Sequence, residues 1–130
     1  MQLKLEKEGG IDTPLINFDA TTGILSIEGK SFPPDIFAFY DEVVDWLKEY
    51  IKKPAKKTIL RLKLDYFNTS SSKVLMDILY LLEEFYNKKN DVLIEWYYQD
   101  DDEDMMETGQ EYAQLINVPF KHIGYKFMIE

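Results

Sequence analysis

A strand pattern, a helix pattern and a second strand pattern follow one another in the middle of the chain, and this succession constrains the fold most. Residues 58–65 alternate, with Leu60, Leu62 and Leu64 on one side of a predicted strand. Residues 73–89 show apolar side chains at steps of three and four, which predicts a helix, and residues 91–98 predict another strand. Strand–helix–strand succession implies parallel neighbours joined by a right-handed crossover.

The rest of the chain extends this pattern. Residues 15–18 and 24–27 predict a hairpin, and residues 36–51 predict a helix that begins after Asp35 and ends before Pro54. A third helix follows the acidic residues near position 100. A last strand is predicted from the apolar side chains Phe120, Ile123, Tyr125, Phe127 and Ile129. The first 12 residues are either loose or an edge strand.

These elements predict the order β-β-α-β-α-β-α-β. The 130 residues contain no repeat or linker, so we expect a single domain over residues 1–130. The expected fold is a small α/β structure with one sheet of about five strands. The sheet is expected to be mostly parallel after an N-terminal hairpin, with the helices mainly on one face.

The charge of the chain argues against nucleic acid as a partner. The formal net charge is −9, and Arg61 is the only arginine among 15 basic residues. Nucleic-acid affinity depends largely on neutralising phosphates with Lys and Arg, and arginine supplies most bidentate contacts. We therefore predict no nucleic-acid binding.

The absence of cysteine excludes disulfides, thiol catalysis and cysteine-based zinc sites, and it fits a reducing compartment. The N-terminal residues lack the apolar core of a signal peptide, and no apolar run approaches the ~18 residues that a membrane helix needs. We predict a soluble, cytoplasmic protein without membrane insertion. The single histidine, His122, has no catalytic signature around it, and the sequence has no Cys-His pair and no Gly-rich phosphate loop. We therefore expect no catalytic residue and no cofactor.

Four consecutive hydroxyl side chains, Thr69 to Ser72, follow Asn68 between the predicted strand 58–65 and the next helix. The carboxyl edge of a parallel sheet is where ligand and modification sites collect, and a helix start favours an anion. One interpretation is simple helix capping by Asn, Ser or Thr. The other is a modified or anion-binding site, since one cap needs only one such residue.

A second polar feature is the acidic stretch Asp100, Asp101, Asp102, Glu103 and Asp104. It predicts a solvated helix start, a partner-docking surface or a metal site, although the spacing matches no EF-hand loop. If its strand neighbours strand 58–65, the acidic stretch emerges at the same edge as Thr69. A phosphate there would add ~1.5–2 negative charges near these carboxylates, and repulsion could change partner choice or loop position.

Three strings together resemble the SiaC-like regulatory phosphoproteins. They are YFNTSS at residues 66–71 with Lys73, WYY at residues 96–98, and DEDM at residues 102–105, and the likeness spans roughly residues 11 to 121. This resemblance implies a fold similar to STAS domains and anti-sigma-factor antagonists. It implies phosphorylation of Thr69, with Ser70 and Ser71 as second candidates.

The resemblance also implies the partners. An anti-sigma-type Ser/Thr kinase would phosphorylate Thr69 and a PP2C-type phosphatase would reverse this. The unphosphorylated form would bind and activate a diguanylate cyclase, which raises cyclic-di-GMP and promotes biofilm formation. The protein itself would not be an enzyme. From the positions of the two polar segments, we expect its partner-binding residues to be Asn68, Ser70, Ser71 and the acidic residues 100–104.

Two alternatives use the same residues differently. The start of the helix after Asn68 could bind an anionic small molecule or a nucleotide. The acidic stretch could hold a metal ion in a hydrolase.

Overall fold

The structure is a computed structural model that describes residues 1–126, and it contains one six-stranded sheet and three helices. The strands are β1 (Lys4–Lys7), β2 (Leu15–Asp19), β3 (Ile24–Ser31), β4 (Lys57–Phe67), β5 (Asp91–Gln99) and β6 (Phe120–Tyr125). The helices are α1 (Ile36–Tyr50), α2 (Thr69–Asn87) and α3 (Glu103–Leu115).

The strand order in the sheet is the order in the sequence, β1 to β6. β1, β2 and β3 pair antiparallel, and β3, β4, β5 and β6 pair parallel. The mostly parallel α/β sheet with an N-terminal hairpin is confirmed. Each parallel connection steps to the next strand in the same direction, so right-handed crossovers place the three helices on one face.

The number of strands differs from the prediction by one. β1 adds a sixth strand at the edge and pairs with β2 from Lys4 opposite Asp19 to Lys7 opposite Ile16. Within this four-residue strand only Leu5 is buried. A single inward side chain gives no alternation of apolar and polar residues. The sequence therefore does not distinguish an edge strand from a loose segment in residues 1–12.

The core lies between the sheet and the helices. Leu60, Leu62 and Leu64 point inward as predicted and are almost fully buried. On the opposite face of the sheet, Arg61 Nε donates to Glu95 Oε1 at 2.7 Å, which pairs a carboxylate that is only 8% exposed. The aromatic residues Trp46 and Tyr50 of α1 stack at 5.4 Å between ring centroids and belong to the core.

Helix boundaries follow the capping residues. Asp35 caps α1, as expected, and its Oδ1 accepts from the Ala38 N–H. α2 begins at Thr69, four residues before the predicted start, because the hydroxyl run itself is helical. β6 ends at Tyr125, and the predicted strand residues Phe127 and Ile129 lie outside the described residues. Within residues 1–126 no helix is long and apolar enough to cross a bilayer.

Candidate functional site

The start of α2 is held by Asn68. Its Oδ1 accepts a hydrogen bond from the Ser71 N–H at 2.9 Å, so Asn68 is the N-cap and the hydroxyl residues are not. Its own N–H donates to the carbonyl of Ser31 at the end of β3 at 3.1 Å. These two contacts fix the turn between β4 and α2, and they leave the hydroxyl groups for other contacts.

Two of the four hydroxyl groups tie α2 to its neighbours. Ser71 is fully buried, and its Oγ lies 2.7 Å from Ser31 Oγ. Ser72 is partly buried, and its Oγ lies 2.6 Å from the hydroxyl of Tyr112 on α3. Thr69 and Ser70, by contrast, are exposed. Of the four hydroxyls, these two can be reached by another protein.

The hydrogen bonds of Ser71 continue into the core. Ser31 Oγ also lies 2.6 Å from the hydroxyl of Tyr40, and all three residues are at most 1% exposed. We call Tyr40, Ser31 and Ser71 the buried hydroxyl chain. It links α1, the end of β3 and the start of α2 directly beneath the exposed Thr69 and Ser70. Because buried hydroxyls without partners are costly, this chain fixes the position of the helix start.

Burial raises the pKa of Tyr40 to about 12, and the hydrogen bond between Ser31 and Tyr40 opposes part of this shift. In the unfolded chain a tyrosine titrates near its ordinary value, about 10. Between these two values the unfolded chain releases a proton that the folded protein keeps. The free energy of unfolding therefore falls as pH rises through this window.

We expect the Tyr40 contribution to reduce the free energy of unfolding by up to about 3 kcal/mol between about pH 10 and pH 12. Chemical unfolding at several pH values across this window measures the loss. Tyr40→Phe is the control, since it lacks the titrating group while the other tyrosines still titrate. The wild-type protein should lose more stability with rising pH than Tyr40→Phe, and equal losses would contradict the assignment.

The acidic stretch lies at the same sheet edge as α2, because β4 and β5 are parallel neighbours and both loops follow carboxyl ends. Asp102 caps α3, with its Oδ1 accepting from the Met105 N–H at 3.0 Å. Glu103 and Asp104 stand in the first turn of α3, where the helix dipole favours acids. Asp100 and Asp101 are exposed in the loop, and the Asp100 N–H donates to the Tyr125 carbonyl at 2.8 Å.

A groove of about 450 Å³ separates the end of β4 from α3. Phe67 and Tyr112 line it, with ring centroids 6.4 Å apart. Its acidic side chains are those of Asp65, Asp102, Asp104 and Glu111. Ser72 lines the same groove and is hydrogen-bonded to Tyr112, so the hydroxyl run and the acidic stretch contribute to one surface.

The sequence predicts that these two segments meet at one edge, but it does not identify the residues that hold them there. No pattern in the sequence assigns a role to Ser31, Tyr40 or Tyr112, since a strand-end serine and helical tyrosines look like ordinary core positions. Within residues 1–126, no group of three or more His, Asp or Glu side chains is arranged to hold a metal ion. Asp102, Glu103 and Asp104 are accounted for by the start of α3.

Comparison with known proteins supplies the family. The profile of the SiaC family regulatory phosphoproteins matches residues 6–125. An uncharacterized protein of Pseudomonas aeruginosa strain UCBPP-PA14 is 35% identical over 112 residues, which cover 86% of this chain and 89% of that relative.

Solved structures from Pseudomonas aeruginosa show the same fold. In the crystal structure of the diguanylate cyclase SiaD in complex with its activator SiaC, one chain is 33% identical, with a TM-score of 0.89, and the match covers 93% of this chain and 99% of that one. The crystal structure of apo-SiaC is 33% identical, with a TM-score of 0.85 and coverage of 92% and 98%. The profile match and these likenesses agree over almost the whole chain, which therefore belongs to the SiaC family of regulatory phosphoproteins.

Proposed function

We propose that this chain is a single-domain cytoplasmic adaptor, not an enzyme, whose reversible phosphorylation on Thr69 controls its binding to a diguanylate cyclase. Membership of a family of regulatory phosphoproteins supports the phosphorylation. The SiaC relative that is an activator in complex with the cyclase SiaD supports the partner class. The observation that carries the site is the exposure of Thr69 and Ser70 above two hydroxyls that are already engaged.

Thr69 is the first residue of the 19-residue helix α2. A phosphate on its side chain would stand beside N–H groups of the first helical turn and at the positive end of the helix dipole. Asn68 already satisfies the Ser71 N–H, so the added group need not replace the cap. The modification can therefore change the surface while the core below stays packed.

The enzymes that act on Thr69 are proposed by resemblance to the family. They are a Ser/Thr kinase of the anti-sigma type and a PP2C-type phosphatase. Both need an accessible hydroxyl, and the exposed side chain of Thr69 meets that requirement.

The partner surface in this proposal combines the helix start and the acidic loop. Asn68 and Ser70 contribute beside Thr69, and Asp100 to Asp104 contribute from the loop before and at the start of α3. Ser71 supports the helix start from beneath, since its fully buried side chain is closed to direct contact. A phosphate on Thr69 adds ~1.5–2 negative charges at this edge. It would therefore weaken the binding of a partner that contacts the unmodified threonine.

The decisive experiment is mass spectrometry of the full chain after incubation with ATP and the Ser/Thr kinase. We expect one added phosphate on the wild-type protein and none on Thr69→Ala. Ser70→Ala is the matched control, because Ser70 is the other exposed hydroxyl of the run, and it should still gain one phosphate.

The outcomes separate the two exposed hydroxyls. A phosphate that persists in Thr69→Ala and disappears in Ser70→Ala would move the site by one residue. A wild-type protein that gains no phosphate from an active kinase would overturn the switch. Cyclic-di-GMP formation by the cyclase, measured with unphosphorylated and phosphorylated protein, then tests whether the modification controls activation.

A further inference from the structure

An apolar groove runs between α1 and α2, away from the acidic loop. It measures about 600 Å³, and its floor contains Tyr40 and Val44 from α1 with Val74 and Leu81 from α2. Two large side chains at its margins are exposed, Phe37 at 66% and Tyr80 at 48%. Exposed aromatic side chains beside an apolar groove are typical of protein interaction sites.

The rim of this groove is strongly acidic. Asp41 and Asp45 border it from α1, and Asp77 and Glu84 border it from α2, with Lys48 as the basic side chain among the lining residues. None of these four carboxylates forms an ion pair within residues 1–126. Unpaired acids on both sides of an apolar floor complement a partner with an apolar stripe flanked by Lys or Arg.

The two helices that form the groove offer a helical partner a surface several turns long. α1 and α2 each follow a parallel strand of the same sheet, so they run side by side in the same direction. The 15 residues of α1 span about 22 Å, the length of about four helical turns. A groove between two helices accepts a third amphipathic helix through side chains spaced at i, i+3, i+4 and i+7.

We propose that the groove between α1 and α2 binds a basic amphipathic helix of a partner protein. Apolar side chains of that helix lie on the half-buried Val44 and Leu81, above the buried Tyr40, and its Lys or Arg side chains pair with the rim acids. This surface goes beyond the proposed switch, and its test does not depend on phosphorylation of Thr69. Val74 lies one turn after Ser70, so one end of the bound helix reaches the start of α2.

The test uses the full chain, labelled with nitrogen-15, and two synthetic peptides. One is a Leu/Lys peptide of about four turns with Leu at the i, i+3, i+4, i+7 spacing, and the other replaces every Lys with Glu. We expect the Lys peptide to shift amide signals of residues 37–48 and 74–84. The Glu peptide should not bind, and added salt should weaken binding of the Lys peptide.

Two charge-reversal variants separate the groove from the overall negative charge. Asp41→Lys with Asp45→Lys changes the rim, and Asp91→Lys with Glu107→Lys changes two exposed acids outside the groove by the same net charge. The rim variant should bind the Lys peptide about tenfold more weakly, and the control less than about threefold. Phe37→Ala should also weaken binding, and its exposed position leaves the fold intact.

Several outcomes would overturn the proposal. If the two double variants weaken peptide binding equally, the net charge of the protein and not the rim of the groove determines the affinity. Amide shifts centred on residues 100–104 would show that the peptide binds the acidic loop and not the groove. Equal binding of the Glu and Lys peptides would show that the rim acids do not select a basic partner. Thermal unfolding of each variant verifies that weaker binding does not come from lost structure.

Discussion

Replacing Gly109 by alanine is expected to lower the free energy of unfolding by about 3 kcal/mol. A Cβ at this position of α3 would stand 2.4 Å from Cδ1 and 2.5 Å from Nε1 of Trp96. The indole is 1% exposed and its N–H donates to the Met105 carbonyl at 2.9 Å. Phe67 and Tyr112 pack against the same indole, so the ring cannot yield freely.

The loss should exceed the gain in helix propensity, which favours alanine over glycine by about 1 kcal/mol. Urea unfolding measures the difference. Gln110→Ala, at an exposed position of the same helix, should change stability by less than about 0.5 kcal/mol. In a Trp96→Phe background the smaller ring should make Gly109→Ala far less costly. If Gly109→Ala in the otherwise wild-type protein lowers the free energy of unfolding by less than about 1 kcal/mol, α3 can move away from the sheet without penalty.

Ser31→Ala is expected to cost about 2–3 kcal/mol of unfolding free energy, because it interrupts the buried hydroxyl chain in the middle. Both Tyr40 and Ser71 then lose the partner that lies 2.6 Å and 2.7 Å away. A single lost hydrogen bond is worth about 1 kcal/mol, and leaving two buried hydroxyl groups unpaired costs more.

Ser26→Ala is the matched control, since Ser26 lies on the same strand but between the inward-facing Leu25 and Ile27, on the opposite face of the sheet. Its change in stability should stay within about 0.5 kcal/mol. Hydrogen exchange gives a second readout, in which the amides at the start of α2 should lose protection in Ser31→Ala and keep it in Ser26→Ala. Equal stability of the two variants would mean that water replaces the missing hydroxyl.

Much of the fold was predictable because burial on one face leaves a period of two in the sequence. Leu60, Leu62 and Leu64 identify β4 in this way. The start of α2 was predicted too late because the first helical turn faces the loop, where Asn68 and not an apolar stripe decides the boundary. Periodicity becomes visible only at Val74, one turn into the helix.

The position of the candidate site in the fold was predictable from the sequence, but the contacts that hold its residues were not. Order of strands alone brings the hydroxyl run and the acidic stretch to one edge. The buried hydroxyl chain depends on a register shift between β3 and β4, where Gly29 pairs with Leu64 but Lys30 pairs with Tyr66. The extra residue on β4 sets Ser31 opposite Phe67, beside the start of α2. Such a bulge results from pairing between distant segments, and neither strand sequence alone specifies it.

The strand order of the sheet, identical to the order along the chain, has a consequence for synthesis on the ribosome. None of the six described strands has to insert between two strands that are already paired, since each new strand adds to the edge left by the one before it. A chain that emerges at roughly 5–20 residues per second can extend the sheet from its N-terminus as it appears. Each helix then covers the strands that precede it, so apolar surface is buried during elongation instead of waiting for the last residue.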